Sequence, residues 1–302
     1  MSIINHEEIA YLNILKNLLD KGVERQTRNS ITKSLFSTKL TFDLKNSFPL
    51  FTTKKMFFRG IFEELMFFIR GDTNTKRLED KNVNIWKGNT TREFLDSVGL
   101  NNYQVGDMGP MYGFQLRHFN GEYIDCDANY EGKGIDQLKY VIDTILKDPY
   151  SRRIIMTSFN PEQVNQGCLF PCHSIIIQFY IREENGIYYI SQQNYIRSND
   201  MFLGNPYNVA SFALMTYLLC HHLNHITKSD KYKPDMLHIN IGDYHLYNEH
   251  YEAAQEQIKK TPFLFPKLNI KKYHENIEDY QYDDIELINY LSYPAIKANM
   301  VA

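Results

Sequence analysis

Apolar residues recur in two rhythms along this chain, and the switches between them outline its elements. Residues 7–20 place Ile9, Leu12, Leu15, Leu18 and Leu19 on one helical stripe, which Gly22 is positioned to stop. Residues 35–43 alternate, with Leu35, Ser37 and Lys39 set against Phe36, Leu40 and Phe42, and predict a strand. Residues 57–69 are apolar almost throughout, apart from Arg59, Glu63 and Glu64. That is a buried helix carrying charge, and a buried carboxylate without a partner is costly. Glu64 is therefore either paired or held at a raised pKa suited to proton transfer. Residues 135–146 form a second amphipathic helix through Ile135, Leu138, Val141, Ile142, Ile145 and Leu146, closed by Asp148-Pro149. Stretches 153–159, 174–182 and 187–195 are rich in Ile, Phe and Tyr and read as strands. Glu183-Glu184-Asn185-Gly186 reads as a hairpin turn between the last two. Pro206 can open a long apolar helix running to about Leu223, and 236–241 and 266–272 give two more strands.

Helices and strands mix without regular alternation, which predicts an α+β fold with a mixed or mostly antiparallel central sheet flanked by helices. No repeat or low-complexity linker interrupts the chain, so a single domain over 1–302 is expected.

Composition narrows the function. The 302 residues are 43% hydrophobic with a net charge of −3, enough for a sizeable core and too little positive charge for a nucleic-acid polymer. Lys54-Lys55 and Lys271-Lys272 read as solvated surface. The start lacks a basic segment followed by an apolar run, and no apolar stretch is long enough to span a bilayer. A cytoplasmic protein is expected, with Cys126, Cys168, Cys172 and Cys220 reduced. The spacing of Cys168 and Cys172 has no matching second pair, so no metal is expected. No glycine-rich phosphate loop occurs either, and any phosphate must be held by side chains.

The chemistry concentrates in Phe170-Pro171-Cys172-His173, Arg197-Ser198-Asn199-Asp200 and Gly204-Asn205-Pro206-Tyr207-Asn208. A buried cysteine is most often inert packing. Here Pro171 blocks strand pairing, so the thiol can stand at a strand's start facing a cleft. His173 is a wall rather than its base, because neighbours on a strand point to opposite faces. Arginines nearby favour the thiolate, the reactive form. Arg152-Arg153 read either as a surface basic pair or as a phosphate clamp, which Arg28 and Arg197 can join. The Asp200 carboxylate can accept from ring N–H groups. The Asn208 carboxamide can read the N3–H and O4 edge of a uracil, or serve as a helix cap. Tyr112 sits amid glycine and proline punctuation, with a hydroxyl able to reach a cleft. Asp243, His245 and Tyr247 alternate on one side of a short strand or loop. His221, His222 and His225 read as solvent-exposed rather than as a metal cluster.

Taken together, these motifs resemble thymidylate synthase. Phe170-Pro171-Cys172-His173, Arg197-Ser198-x-Asp200, Leu203-Gly204-x-Pro206-Tyr207-Asn208 and Asp243-x-His245-x-Tyr247 stand in that family's order. Phe48-Pro49-Leu50-x-Thr52-Thr53-Lys54, Glu63-Glu64-Leu65, Arg70-Gly71-Asp72-Thr73-Asn74, Gly106-Asp107-x-Gly109-Pro110-x-Tyr112-Gly113, Ser151-Arg152-Arg153 and Pro266-Lys267-Leu268 match as well. Stretches around Thr91-Arg92-Glu93 and Tyr130-x-Gly132-x-Gly134 are similar to its eukaryotic-type branch.

The resemblance implies reductive methylation of dUMP to dTMP with 5,10-methylenetetrahydrofolate as cosubstrate and no metal. By it, Cys172 adds to C6 of the pyrimidine and Asn208 fixes the uracil edge. Arg28, Arg197 and Ser198 hold the phosphate, with Arg152 and Arg153 reaching in from the other subunit of a symmetric dimer formed through the sheet face. His245 and Tyr247 bind the 3′-hydroxyl. Glu64, through water, and Tyr112 manage protons. Phe57, Ile85, Trp86, Asp200, Leu203, Gly204 and Tyr207 line the folate site, over which Met300-Val301-Ala302 closes.

The chain departs from the family pattern in places. The loop after Arg28 reads Asn29-Ser30-Ile31-Thr32 without glycines, Ile196 replaces a usual Gln, Lys87 a usual Asp, and Leu116 a common Trp. Two alternatives stand beside the first reading: a dUMP hydroxymethylase, and a catalytically weak relative kept for binding.

Overall fold

The computed structural model describes residues 4–28 and 30–301. Eight α-helices are described: α1 (His6–Lys21), α2 (Phe58–Ile69), α3 (Lys76–Glu79), α4 (Arg92–Ser97), α5 (Tyr112–His118), α6 (Gln137–Lys147), α7 (Gly204–Thr227) and α8 (Tyr251–Gln257). The strands are β1 (Val23–Gln26), β2 (Ile31–Asp43), β3 (Ile155–Met156), β4 (Ile176–Glu184), β5 (Ile187–Asp200), β6 (Tyr232–Tyr247), β7 (Lys267–Ile270) and β8 (Ile285–Ile288).

Local chemistry sets the ends of these elements. The Asn5 side chain accepts the Glu8 N–H at 3.0 Å to start α1, and Gly22 N–H caps it by donating to Leu18 O at 2.9 Å. Asp136 accepts from Lys139 N–H at 2.9 Å to start α6. The β4–β5 hairpin turns on Asn185 (φ 54°) and Gly186 (φ 78°), two left-handed residues whose twist matches the flanking strands.

Six strands form one mixed sheet in the order β1-β2-β6-β5-β4-β3. Only β5 and β6 run parallel; every other pair is antiparallel. β7 and β8 make a separate two-stranded ribbon. The α+β expectation with a mixed sheet holds. Alternation gives the sheet two unlike faces. Ile177, Phe179, Ile181, Ile190 and Ile196 are buried with α7 in the core, while Ile176, Tyr180 and Tyr195 on the other face are exposed.

The sequence periodicity misjudged four places. The strand expected over 153–159 shrinks to Ile155–Met156. The Gln137 side chain accepts the Thr157 N–H at 3.0 Å and donates to Thr157 O at 2.7 Å, taking both groups a longer ladder needs. The strand expected over 236–241 runs from Tyr232 to Tyr247, and β2 pairs with it from Met236 through Asp243, His245 and Tyr247. Lys54 is buried, not solvated: its ammonium lies 3.8 Å from the Phe202 ring centroid and donates to Phe202 O. The α7 histidines are not all exposed either. His222 is buried, and His221 is half-buried, stacked 4.1 Å from Tyr273 with its Nδ1 2.6 Å from the Tyr280 hydroxyl.

Candidate active site

Cys172 lies in the segment leading into β4, outside the strand. Its carbonyl accepts the Arg197 N–H at 2.9 Å, so this segment runs beside the end of β5. Tyr112, the first residue of α5, is buried against it. The Tyr112 ring stacks on His173 at 4.3 Å with the planes 8° apart. Its hydroxyl accepts the Cys172 N–H at 3.1 Å and stands 3.4 Å from Sγ. With its lone pair engaged by the amide, the hydroxyl can donate its proton to a thiolate. Arg197 Nε donates to Pro171 O at 2.7 Å and Nη2 to Phe170 O at 3.0 Å, and its guanidinium lies 4.6 Å from the Phe170 ring centroid.

Burial pushes the Cys172 thiol up from its ordinary pKa, while the Tyr112 hydrogen bond and the Arg197 charge pull the other way. The expectation that arginine favours the thiolate is right in sign, but burial outweighs it in the single chain. Burial alone holds His173 down to about 4, so that ring is neutral. It packs against Tyr112 and Phe212, and since residues 172 and 173 lie outside β4, the strand alternation expected of them does not apply.

Glu64 stands on α2 with one hydrogen-bond donor, the Trp86 indole N–H at 2.8 Å. Burial raises its carboxyl to about 7, with the indole bond opposing. Trp86 lies 5.8 Å from the Tyr112 ring, so contacts run from Glu64 through two aromatic rings to Cys172. Both alternatives for Glu64 hold together, because a neutral donor pairs the carboxyl without supplying the charge that would keep it ionised.

Strand pairing collects the polar groups expected to read a nucleotide. Ser198 and Asp200 of β5 pair with Asp243 and His245 of β6, which pair in turn with Phe36 and Ser34 of β2; Thr32 pairs with Tyr247. His245 Nδ1 lies 3.1 Å from Asp243 Oδ1, and its ring packs edge-on to Tyr247 at 5.2 Å. Arg28 is exposed on the turn between β1 and β2, closed by Thr27 N–H to Ser30 O at 2.9 Å. Asn29 lies outside the described residues. Arg152 and Arg153 are exposed just before β3, at the edge of the sheet opposite β1. Four strand spacings, about 19 Å, separate β3 from β2. One chain therefore does not bring this pair to Arg28.

Asp200 turns the chain into α7, with Oδ1 accepting from Phe202 N–H at 2.8 Å and Leu203 N–H at 3.2 Å. Asn208 is half-buried in the second turn of α7, which begins at Gly204, so it is no cap. Burial raises the Tyr207 hydroxyl above its ordinary pKa and the Glu64 charge adds to it, while the Phe57 backbone opposes. Ile85, Leu203 and Gly204 are half-buried, Phe57 and Met300 are exposed, and Ala302 lies outside the described residues.

Two residues beside this site escaped the sequence reading. Lys54 is buried near Asp200, and burial lowers its amine to about 7. The flanking Met56-Phe57-Phe58 run was the available signal. His250, fully buried, meets Asn299, which no local pattern reveals. Of the departures, Ile196 and Leu116 are buried in the core and Lys87 pairs with Glu79 at 3.3 Å. Among the described residues, no three His, Cys, Asp or Glu side chains group as metal ligands, and no helix is long and apolar enough to cross a membrane.

A mixed α+β fold that places a thiol 3.4 Å from an aromatic hydroxyl and within the field of an arginine is an arrangement suited to covalent chemistry. The thymidylate synthase family model matches residues 9–302. Human thymidylate synthase is 43% identical over 297 residues, covering 98% of this chain and 91% of that one. The Candida albicans thymidylate synthase is 42% identical over 316 residues, covering 98% of each. The bifunctional dihydrofolate reductase-thymidylate synthase of Leishmania amazonensis is 42% identical over 298 residues, which is 98% of this chain and 55% of that one. The chain thus spans about half the length of such bifunctional relatives. It belongs to the thymidylate synthase family.

Proposed function

We propose that this protein is a thymidylate synthase, converting dUMP to dTMP with 5,10-methylenetetrahydrofolate as cosubstrate and dihydrofolate as second product. The observation behind this reading is the knot of Cys172, Tyr112 and Arg197 beside Glu64. The Tyr112 hydroxyl and Arg197 charge favour the thiolate, which bonds to C6 of the uracil and moves the ring electrons toward C5 and O4. Asn208 holds the N3–H and O4 edge. Methylenetetrahydrofolate supplies the one-carbon unit and the hydride. Glu64, near neutrality in its pKa, gives and takes protons through water on the O4 side, and Tyr112 assists loss of the C5 proton. Departure of Sγ restores the C5–C6 double bond.

Arg28, Arg197 and Ser198 bind the phosphate, His245 and Tyr247 the 3′-hydroxyl. Phe57, Ile85, Trp86, Asp200, Leu203, Gly204 and Tyr207 form the folate surface, closed by the tail from Met300 to Ala302. The working unit is a homodimer of one-domain subunits, each spanning residues 1–302. Ile155, Ile176, Tyr180 and Tyr195, from 38% to 68% exposed on the face away from α7, support a partner there. Arg152 and Arg153 border that face and reach the partner's phosphate. The free cysteines suit a cytoplasmic setting.

Intact-protein mass spectrometry with 5-fluoro-dUMP and methylenetetrahydrofolate is expected to show a ternary adduct on Cys172. No adduct, or 5-hydroxymethyl-dUMP as the main product, rejects the proposal. Sedimentation of Tyr180→Asp is expected to show monomers without turnover.

A further inference from the structure

The C-terminal segment crosses the loop that carries Lys54 before it ends. Tyr290 OH donates to Phe51 O at 2.9 Å and accepts the Met56 N–H at 3.0 Å. Tyr293 N–H donates to Thr52 O at 2.8 Å, and its ring stacks on Phe263 at 5.1 Å. Farther on, the His250 imidazole Nε2 donates to Asn299 O at 2.8 Å. His250 is wholly buried, with its ring 5.3 Å from Phe202 and 6.0 Å from Tyr247. Nδ1 has no hydrogen-bond partner among the described residues and stands 4.0 Å from Asp200 Oδ2, beyond hydrogen-bond reach.

His250 closes the short turn Asn248–His250 that ends β6. The same turn holds the other loop at the site. Ser30 Oγ lies 2.5 Å from Glu249 Oε1 and 2.9 Å from Asn248 Oδ1, anchoring the turn that bears Arg28. The three residues 248–250 therefore touch both segments expected to close over ligands, directly after His245 and Tyr247.

We infer that His250 is a positioning residue that latches the C-terminal tail against the Asp200–Leu203 turn, so that the tail is held over the folate side of the site before substrates arrive. The inference rests on the proposed folate chemistry for its kinetic consequence only; the latch itself stands on the geometry. Loss of the ring N–H removes a part-buried hydrogen bond to the tail, and one such bond is worth up to about tenfold in an equilibrium.

The test uses the full chain. In His250→Leu, carboxypeptidase is expected to remove residues beyond Ala298 about tenfold faster than from the wild type. The KM for methylenetetrahydrofolate is expected to rise by a similar factor while the KM for dUMP moves less than twofold. His250→Gln keeps an N–H at similar reach and should restore most of both; it also serves if the leucine variant fails to fold. In a chain ending at Ala298, the same leucine substitution should leave tetrahydrofolate affinity unchanged, since no tail remains to latch. Unchanged digestion and KM in His250→Leu overturn the inference. So does an equal loss of dUMP and folate affinity that glutamine does not rescue, which marks a merely structural residue. A protein without dUMP turnover refutes the proposed function, yet digestion still reads the latch.

Discussion

Two regions of this molecule bury a glutamate on a helix, and they use it in opposite ways. At the junction of α1 with the 52–53 loop, Glu8 accepts from Thr52 N–H and Thr53 N–H at 2.8 and 2.7 Å and from both threonine hydroxyls at 2.7 Å. At the α2 wall, Glu64 accepts from the Trp86 indole. Burial raises both carboxyls, but at Glu8 four donors oppose it, whereas Glu64 is left at about 7. The difference teaches that the number and kind of donors, not burial, separates a structural carboxylate from one poised for proton transfer. Glu8 ties the first helix to the loop that carries Lys54. Glu64 accepts through Oε1 from the Trp86 indole.

The largest expected effect separates the two directly. Glu64→Gln should lower kcat by about 10²–10⁴-fold, the range of a lost general acid–base group, with no fall in thermal midpoint and a rise at neutral pH. Steady-state dihydrofolate formation beside a thermal melt reads both, and a large fall in the midpoint would erase the distinction. Glu8→Ala should do the reverse. It strands four donors in the core and should cost about 2–4 kcal/mol in urea unfolding, with kcat per folded molecule unchanged within a few-fold.

Stability against pH sharpens the contrast further. Below pH 4.5, the Glu64 carboxyl is protonated in folded and unfolded chains alike, and it carries no penalty. As pH rises toward 7, the unfolded chain ionises while the folded one holds its proton, so stability falls, by roughly 3 kcal/mol in all. Glu64→Gln should lack that slope between pH 4.5 and 7; parallel wild-type and variant curves would show that Glu64 is ionised in the fold. The smallest effect concerns the thiol, to which the same rule applies. Removing the Tyr112 hydroxyl in Tyr112→Phe should raise the Cys172 pKa and slow iodoacetamide alkylation at neutral pH by about 3–10-fold. Faster alkylation would mean that the hydroxyl had been opposing the thiolate.

Sequence reading was most successful where one short segment contains its own reason. The α1 stripe from Leu12 to Leu18, the Asn185-Gly186 turn and the apolar run of α2 each form as the local pattern requires. It failed where a distant group decides. Gln137 truncates β3, Phe202 draws Lys54 inside, and Tyr273 and Tyr280 cover His221, all across long stretches of chain.

The candidate site divides along the same line. The sequence by itself determined which chemistry is present: a thiol after a proline, an arginine and a carboxylate at close spacing, a carboxamide in an early helical turn, and a charge within an apolar helix. Those are properties of residue types and short spacings, and they survive without coordinates. Only the tertiary structure decided what each group meets. It set the Tyr112 hydroxyl on both the amide and the sulphur of Cys172, aimed an uncharged indole at Glu64, and carried Asn299 to His250. Hydrogen bonds and desolvation act over a few ångströms in space. Residues 60 or 190 apart have no spacing rule that could announce them, and contacts such as Tyr112 with Cys172 and Tyr11 with Met201 are set by packing alone.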